Sequence, residues 1–539
     1  MDAFDYVIVG AGTAGCVLAS RLSEDPSVSV LLLEAGGSDR TIWIQLPIGY
    51  GRTYFDASIN WMYDTAPVPG LNGRESYWPR GKVIGGSGSI NAMVHVRGRP
   101  EDFDDWKDLG NPGWGFDDVL PYFMRAEDFE GGPRSHRGRG GPVRVTDLKG
   151  LAHPLCQTFI EAGRTLGFPS TDDFNGPSGE GVGLYQITTK DGLRASTANA
   201  YLRPALKRRN LTLITHAQAT GLTFDGARAS GVSYRRQAVE QTVSARREVI
   251  LCAGAIGSAQ LLMLSGVGDG TELQALDIPV RRHAPAVGRN IQDHLAVSYF
   301  YRTNRPTLNN ELRPLHGKAL AGLRYLWDRG GPLSMSVNQA GGFIRSRPDL
   351  TRPDLQLYFS PVSYTQTPLS ERRLLNPDPF PAVLLSFNAC RPTSRGRMSL
   401  SSPDPFDYPL IEPNYLSTDK DIEDAVTGSR LLRQLAAAEP LKSVFVEELI
   451  PGPKIRTDED LLADFRARAD TVYHPVGTCG MGPDPERHVV DARLRVHGVE
   501  GLRIADASIF PTVTSGNTNA PTTMVAEKAA DMIASDRRA

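Results

Sequence analysis

Gly10, Gly12 and Gly15 stand at the G-x-G-x-x-G spacing, and Glu34 follows them at the end of an apolar run. Those residue types serve phosphate and ribose binding. The first glycine makes a tight turn, the second lets backbone approach a pyrophosphate, and the third lets a helix pack on a strand. Glu34 can accept hydrogen bonds from both hydroxyls of an adenosine ribose, and its charge repels a 2′-phosphate. A glycine triplet alone is weak evidence, because any tight turn before a helix uses glycine. The elements that must position this one are complete, however. Tyr6–Val9 is a short buried-strand run, Ala14–Leu22 is amphipathic, and 28–33 is a second apolar run, so the order is β-α-β with the helix N-terminus facing the phosphates. The spacing predicts a bound dinucleotide and leaves FAD and NAD equal. A second cluster, Gly85, Gly86 and Gly88, precedes a helix-like run over 90–94. It fits either a loop capped by Ser89 or a segment that admits a flat or anionic group. None of the ten histidines stands out by spacing; His474 on its own reads as structural.

The chain has 539 residues, roughly three domains' worth, with ample material for a buried core. Lys plus Arg number 59 and Asp plus Glu 61, a net charge of −2 that gives no field to gather nucleic acid or an anionic membrane. Small molecules are the expected partners. The five cysteines form no C-x-x-C pair and are odd in number, which argues for a reducing compartment and against disulfides or a zinc site. The first strand begins by Asp5, leaving no room for a signal peptide, and no uninterrupted apolar run reaches 18 residues. A cytoplasmic location follows, with which peripheral membrane association remains compatible.

Further along, 103–120 reads as packing helices around the turn Asn111-Pro112-Gly113, and 131–141 reads as a solvated loop despite its arginines and glycines. Residues 152–167 carry a helical apolar pattern, 176–183 a loop, 195–204 a helix start, and 211–215 a β-branched strand. The stretch 246–264 repeats the opening logic of strand, glycine turn at Gly254 and Gly257, and apolar helix. Between 296 and 470 no motif of chemistry appears, but 355–359 and 382–387 are strand-like and suit an antiparallel sheet. Tyr358, Phe359 and Tyr364 could shape a pocket there or be ordinary packing.

The run Gly81-Lys82-Val83-Ile84-Gly85-Gly86-Ser87-Gly88-Ser89-Ile90-Asn91 resembles the first signature of the glucose-methanol-choline oxidoreductases, and 287–294 and 246–268 are similar to further stretches of that family. The resemblance spans nearly the whole chain. It implies FAD, with contacts from Gly10, Gly12, Thr13, Ala14, Gly15, Glu34, Ala35, Val83, Gly86, Ser87, Asn91, Ala92, Met93, Val94, Ala219, Ala253, Asp506, Ala507, Asn517, Thr518, Asn519 and Thr522. Asp506 is implied at the ribityl chain, with a helix cap as its plainer reading. Four departures stand out, of which the one at Ala259 is small and local. Ile90 replaces the histidine through which some relatives attach the flavin, so the cofactor is expected to be non-covalent. His95 stands where relatives carry an aromatic or alanine; it either faces the substrate pocket or is a partly buried histidine bonded to a carbonyl. Ala259 replaces a usual proline or serine. Gln339 stands where many relatives carry Glu, which disfavours a quaternary ammonium substrate, since such a cation wants an acid among aromatics.

The end of the chain follows the family at 473–482 and 503–521. Alcohol oxidation removes a proton from oxygen and a hydride from carbon, so it needs a base at the hydroxyl while the carbon faces flavin N5. The resemblance implies His474 as that base and Asn517 as the amide that donates to the substrate oxygen. Pro521 suits the first turn of a helix over 522–533, whose N-terminus would stabilise charge on the reduced flavin. The expected fold class is α/β (α+β): a discontinuous Rossmann-type FAD-binding domain over 1–152, 190–295 and 470–539, with an inserted antiparallel-sheet-plus-helix substrate domain over 153–189 and 296–469. The expected reaction is oxidation of a primary aliphatic or aromatic alcohol to the aldehyde, by a dehydrogenase rather than an oxidase, with oxygen or another acceptor taking the electrons. The alternatives are choline dehydrogenase proper, a lyase that keeps FAD without reducing it, and a non-catalytic flavoprotein, which has no need of the His474 and Asn517 pair.

Overall fold

Val30–Leu33 is buried at every residue, as a strand covered on both faces must be. Together with Ala3–Val9 and Leu211–Ile214 it forms the parallel half of a seven-stranded sheet, in the order Leu211–Ile214, Val30–Leu33, Ala3–Val9, Val239–Leu251, with Leu502–Ile504 beyond the last. The register sets Val7 beside Leu31 and Val249, and Val249 beside Leu502. The first half of Val239–Leu251 leaves this layer and pairs antiparallel with Arg228–Arg236, which pairs in turn with Gln218–Asp225. The structure, a computed structural model, describes residues 3–132, 134–365 and 376–538.

Helix Thr13–Leu22 is buried along nearly its whole length because the sheet lies on one side and helix Asn519–Arg538 on the other. The two helices are tied by Glu527, which is fully buried and accepts from Arg21 and from the Tyr201 hydroxyl. Among the described residues no helix is long and apolar enough to cross a membrane. The five cysteines are all buried and free.

A second seven-stranded sheet is antiparallel throughout: Phe445–Ile450, Leu295–Thr303, Ala382–Ala389, Leu355–Ser360, Ala340–Ile344 and Gly181–Leu184 in order, with Asp470–Thr471 also on Leu295–Thr303. The two strand-like runs pair with each other, Leu357 opposite Phe387. Helix Asp419–Ala437 closes over this sheet so tightly that a Cβ on Gly428 would lie 1.9 Å from the Phe387 ring.

Three local expectations are corrected. Residues 90–94 are not helical: the Asn91 carbonyl oxygen Oδ1 accepts from the Met93 N–H, Met93 takes a left-handed φ of 63°, and Val94 bridges to Ile187. The loop over 176–183 gives way at Gly181 to an edge strand. The 131–141 segment is not simply solvated, because Arg137 turns inward and bonds Glu127, Asp173 and Gln186 in a buried network.

Candidate active site

One cavity of about 1150 Å3 runs from the end of strand Ala3–Val9 to a face of the second sheet, where Phe300, Tyr358 and Leu384 line it. At its first end the wall is main chain. Gly10 has φ of 98°, and a Cβ there would lie 2.6 Å from the Cys252 carbonyl. A Cβ on Gly86, at φ of 53°, would lie 2.8 Å from the Gly12 Cα, so the two glycine segments meet across a gap that admits no side chain. Helices Thr13–Leu22, Gly254–Leu264 and Asn519–Arg538 all begin on this wall, and the Asn519 amide joins the first and last by donating to the Thr13 hydroxyl at 2.9 Å. Three helix N-termini around one slot favour an anion. Glu34 is held by the N–H groups of Ala11 and Gly36, both at 2.8 Å, and burial raises its pKa to about 7.

Asp506 also borders the cavity, but its oxygens accept from the Gly254 N–H, the Ser258 hydroxyl and the Ser508 N–H, so it caps the helix and the turn beside it. Burial raises its pKa.

At the other end the wall is side chain. His474 Nε2 lies 3.0 Å from the Asn517 amide nitrogen, and His474 Nδ1 lies 3.0 Å from Nδ1 of His294, whose Nε2 is 3.0 Å from the Cys390 carbonyl. A carbonyl can only accept, so His294 carries its proton on Nε2 and presents Nδ1 as an acceptor. His474 must then carry its proton on Nδ1, which leaves the Nε2 lone pair toward Asn517 and the cavity. The Asn517 amide orientation agrees, with nitrogen donating to that lone pair. Its Oδ1 is buried without a partner in the chain, an acceptor that a bound group can satisfy. Burial first, then His294 and Arg80, hold the His474 pKa well below the usual histidine range. Asp293 fixes the backbone by accepting from the His474 N–H at 2.7 Å, and accepts from the hydroxyls of Tyr415 and Thr471. Burial raises Asp293 to about 6.

Beyond His474, Tyr473 meets Tyr54 edge-on and Tyr54 meets Tyr50, while Tyr50, Met93, Val337 and Val362 form one apolar cluster with Tyr364 against it. All of these border the cavity.

Of the residues expected at the site, Gly10, Gly12, Thr13, Ala14, Glu34, Ala35, Gly86, Ser87, Asn91, Ala92, Met93, Val94, Ala219, Ala253, His474, Asp506, Ala507, Asn517, Thr518, Asn519 and Thr522 border this cavity. Gly15 and Val83 do not. Gly15 is spent on helix–strand packing, its missing Cβ 1.9 Å from the Gly10 carbonyl, and Val83 is fully buried in a small cluster with Ile44, Ile59 and Ile90. His95 is likewise outside, buried and paired with Glu127 at 3.1 Å. Gln339 is outside too, its side chain accepting from the His153 N–H, so its identity says nothing direct about a substrate cation. Tyr358 and Tyr364 border the cavity, whereas Phe359 stacks on Phe159 in the core. Sequence reasoning gave no role to His294, Asp293 or Arg80. The first two lie in a stretch noted for its similarity, which was the available signal.

The residues present fit FAD: a cradle of backbone for a diphosphate, a fixed carboxylate for a ribose, and an unpaired amide acceptor beside a histidine. Ile90 borders the cavity and offers no atom for attachment, so the cofactor is held without a covalent bond.

Family models for GMC oxidoreductase match residues 4–296 and 392–526. The chain is 45% identical to mitochondrial choline dehydrogenase of Mus musculus over 99% of this chain and 89% of that one. It is 43% identical to an alcohol dehydrogenase [acceptor] of Pseudomonas putida, over 98% and 95%. The crystal structure of pyridoxine 4-oxidase from Mesorbium loti superposes with a TM-score of 0.89 at 31% identity, covering 99% of both chains. A glycine cradle, a histidine–amide pair and family matches at both ends of the chain converge on one statement: the protein belongs to the GMC oxidoreductases and is an FAD-dependent alcohol oxidoreductase.

Proposed function

We propose that His474 is the base and Asn517 the amide donor in oxidation of a primary alcohol to its aldehyde. The observation that carries this is the ordered chain Cys390 carbonyl, His294, His474, Asn517, which leaves one unprotonated nitrogen at the cavity. A hydroxyl entering between His474 and Asn517 gives its proton to Nε2 and accepts from the amide, so charge developing on the alkoxide has a donor in place. Bound FAD supplies the acceptor for the carbon's hydride. The depressed pKa of His474 keeps it neutral and ready at ordinary pH, and the apolar cluster around Tyr50 and Tyr364 borders the same cavity.

The substrate reading is an uncharged aliphatic or aromatic alcohol, supported by that apolar cluster and by the relative named alcohol dehydrogenase [acceptor]. Choline is the second reading, favoured by the relatives named for it and by the tyrosine faces, which suit a quaternary ammonium. A dehydrogenase is favoured over an oxidase by the relatives named mitochondrial choline dehydrogenase and alcohol dehydrogenase [acceptor]. The two sheets support an FAD-binding domain over 1–152, 190–295 and 470–539 and a substrate domain over 153–189 and 296–469, and the free cysteines support a reducing, cytoplasmic setting. Mixing the flavinated protein anaerobically with a panel of alcohols and choline tests the reaction and the substrate together. Bleaching of the flavin by at least one alcohol is expected; an unreduced flavin across the panel would return the protein to the lyase or non-catalytic alternatives.

A further inference from the structure

Five arginines are buried among the described residues: Arg97, Arg99, Arg137, Arg194 and Arg503. A guanidinium taken out of water needs an opposite charge or a full set of acceptors. Four of the five have a carboxylate. Arg97 and Arg137 share Glu127 at 2.6 and 2.7 Å, Arg503 has Glu248 at 2.7 Å, and Arg99 has Glu101 at 3.8 Å. Arg194 is the exception among the described residues, since each bond it makes goes to a neutral oxygen. Its Nε donates to the Ile44 carbonyl at 2.9 Å, and its Nη1 donates to Asn91 Oδ1 at 2.7 Å and to the Gly88 carbonyl at 3.3 Å. Nη2 is buried with no partner in the chain. Burial lowers the Arg194 pKa to about 10, with Tyr54 and Tyr50 acting in the opposite direction, so the side chain stays charged at ordinary pH.

This charge stands directly behind the cavity wall. Arg194 ends the short strand Leu193–Arg194, and two of the three oxygens it holds belong to the second glycine segment, of which Gly86, Ser87, Ile90 and Asn91 border the cavity. On one side Gly88 faces the phosphate end, where an added Cβ would lie 2.8 Å from the Thr13 hydroxyl and 3.3 Å from the Asn519 amide nitrogen. On the other side Asn91 leads to Ala92 and Met93, and Tyr50 and Tyr54 belong to the alcohol end. The guanidinium therefore supports the stretch of wall between the glycine cradle and His474.

We propose that Arg194 serves the bound flavin as an uncompensated positive charge that raises its reduction potential. Hydride transfer leaves negative charge on the ring, and a fixed cation in the low-dielectric interior stabilises that product more than the neutral oxidised ring. Asn91 holds the charge in place: its Oδ1 accepts from both Arg194 and the Met93 N–H, so the same atom sets the guanidinium and the left-handed turn at Met93. The role is separate from those of His474 and Asn517 and is the same whichever alcohol is oxidised.

The test is the midpoint potential of the flavinated protein, measured by dye-coupled reduction with no alcohol present, in the wild type, Arg194→Gln, Arg194→Met and Arg194→Lys. FAD titration of each apoprotein accompanies it. All are measured at about pH 6, which favours the charged form of a buried lysine. The two neutral variants are expected to lower the equilibrium constant for two-electron reduction at least about tenfold, a fall of ~30 mV. Arg194→Lys keeps the charge without the planar fork and should stay within about threefold of the wild type. Neutral variants with an unchanged potential overturn the proposal, and a raised FAD Kd in those same variants would assign the charge to the diphosphate instead. A Lys variant as low as the neutral ones also overturns it, because shape rather than charge would then set the potential. Failure of both neutral variants to fold, seen by circular dichroism, would assign the charge to the fold and overturn it equally. The reading of His474 as the base is judged separately, by alcohol-driven reduction.

Discussion

At Gly10 and Gly86 the cavity wall is main chain, and one added methyl would overlap backbone at 2.6 and 2.8 Å. At His474, Asn517 and Tyr54 the wall is side chain, and what matters is which nitrogen holds a proton. The first end recognises its ligand by shape and by backbone N–H groups, with the Glu34 carboxylate held beside them. The second works through a tautomer that depends on residues far apart in the chain. Substitutions at the first should therefore alter how tightly FAD is held, and substitutions at the second should alter the rate of flavin reduction while FAD stays bound.

The largest contrast is expected from His474→Ala. Losing a positioned base costs at least about a hundredfold in the rate of alcohol-driven flavin reduction, with flavin content unchanged. A wild-type rate in single-turnover measurements would remove His474 from the reaction. Asn517→Ala should cost about 2–4 kcal/mol of transition-state binding at every pH, as for other lost oxyanion donors, and Asn517→His should keep part of the activity. If the Ala variant, fully flavinated, loses the acid ionisation in its pH–rate profile, the amide rather than the imidazole governs the proton. At the backbone end, Gly86→Ala combines a left-handed φ with the approach to Gly12, a strain on the order of 1–3 kcal/mol. FAD titration of the apoprotein should show a Kd raised at least about fivefold, with the reduction rate of the flavinated fraction near wild type; an unchanged Kd would mean that the cradle yields.

His294→Leu keeps the volume but strands the His474 Nδ1 proton in the interior, a cost of about 1–3 kcal/mol that should slow reduction roughly tenfold. Equal rates would break the tautomer argument. The smallest effect is expected from Arg80→Gln. Reduction needs neutral His474, so the rate falls as pH drops through its ionisation; burial is the larger cause of the depressed pKa, and Arg80 adds to it. Removing that cation eases protonation and should move the acid limb to higher pH. A limb moving the other way would show that Arg80 acts on something else.

The same contrast explains what could be read from the chain. The nucleotide end is local: Gly10, Gly12, Gly15 and Glu34 sit in one short unit whose spacing already states its geometry, the packing role of Gly15 included. The parallel core followed from runs such as 28–33 for the same reason. His294, His474 and Asn517 lie in separate segments and come together at His474 only in the fold, so residue types alone left His474 one histidine among ten, and family similarity supplied the role.

Leu502–Ile504 completes a sheet that Ala3–Val9 begins, and Asn519–Arg538 covers the helix that follows that first strand. A ribosome therefore releases the opening β-α-β unit long before its neighbours exist. Until the final segment emerges, Val249–Leu251 has an open edge that invites pairing with other chains, and the cavity lacks Thr518, Asn519 and Thr522 from its wall. The wall of the flavin site is therefore complete only once residues 502–538 have folded onto the first strand and helix.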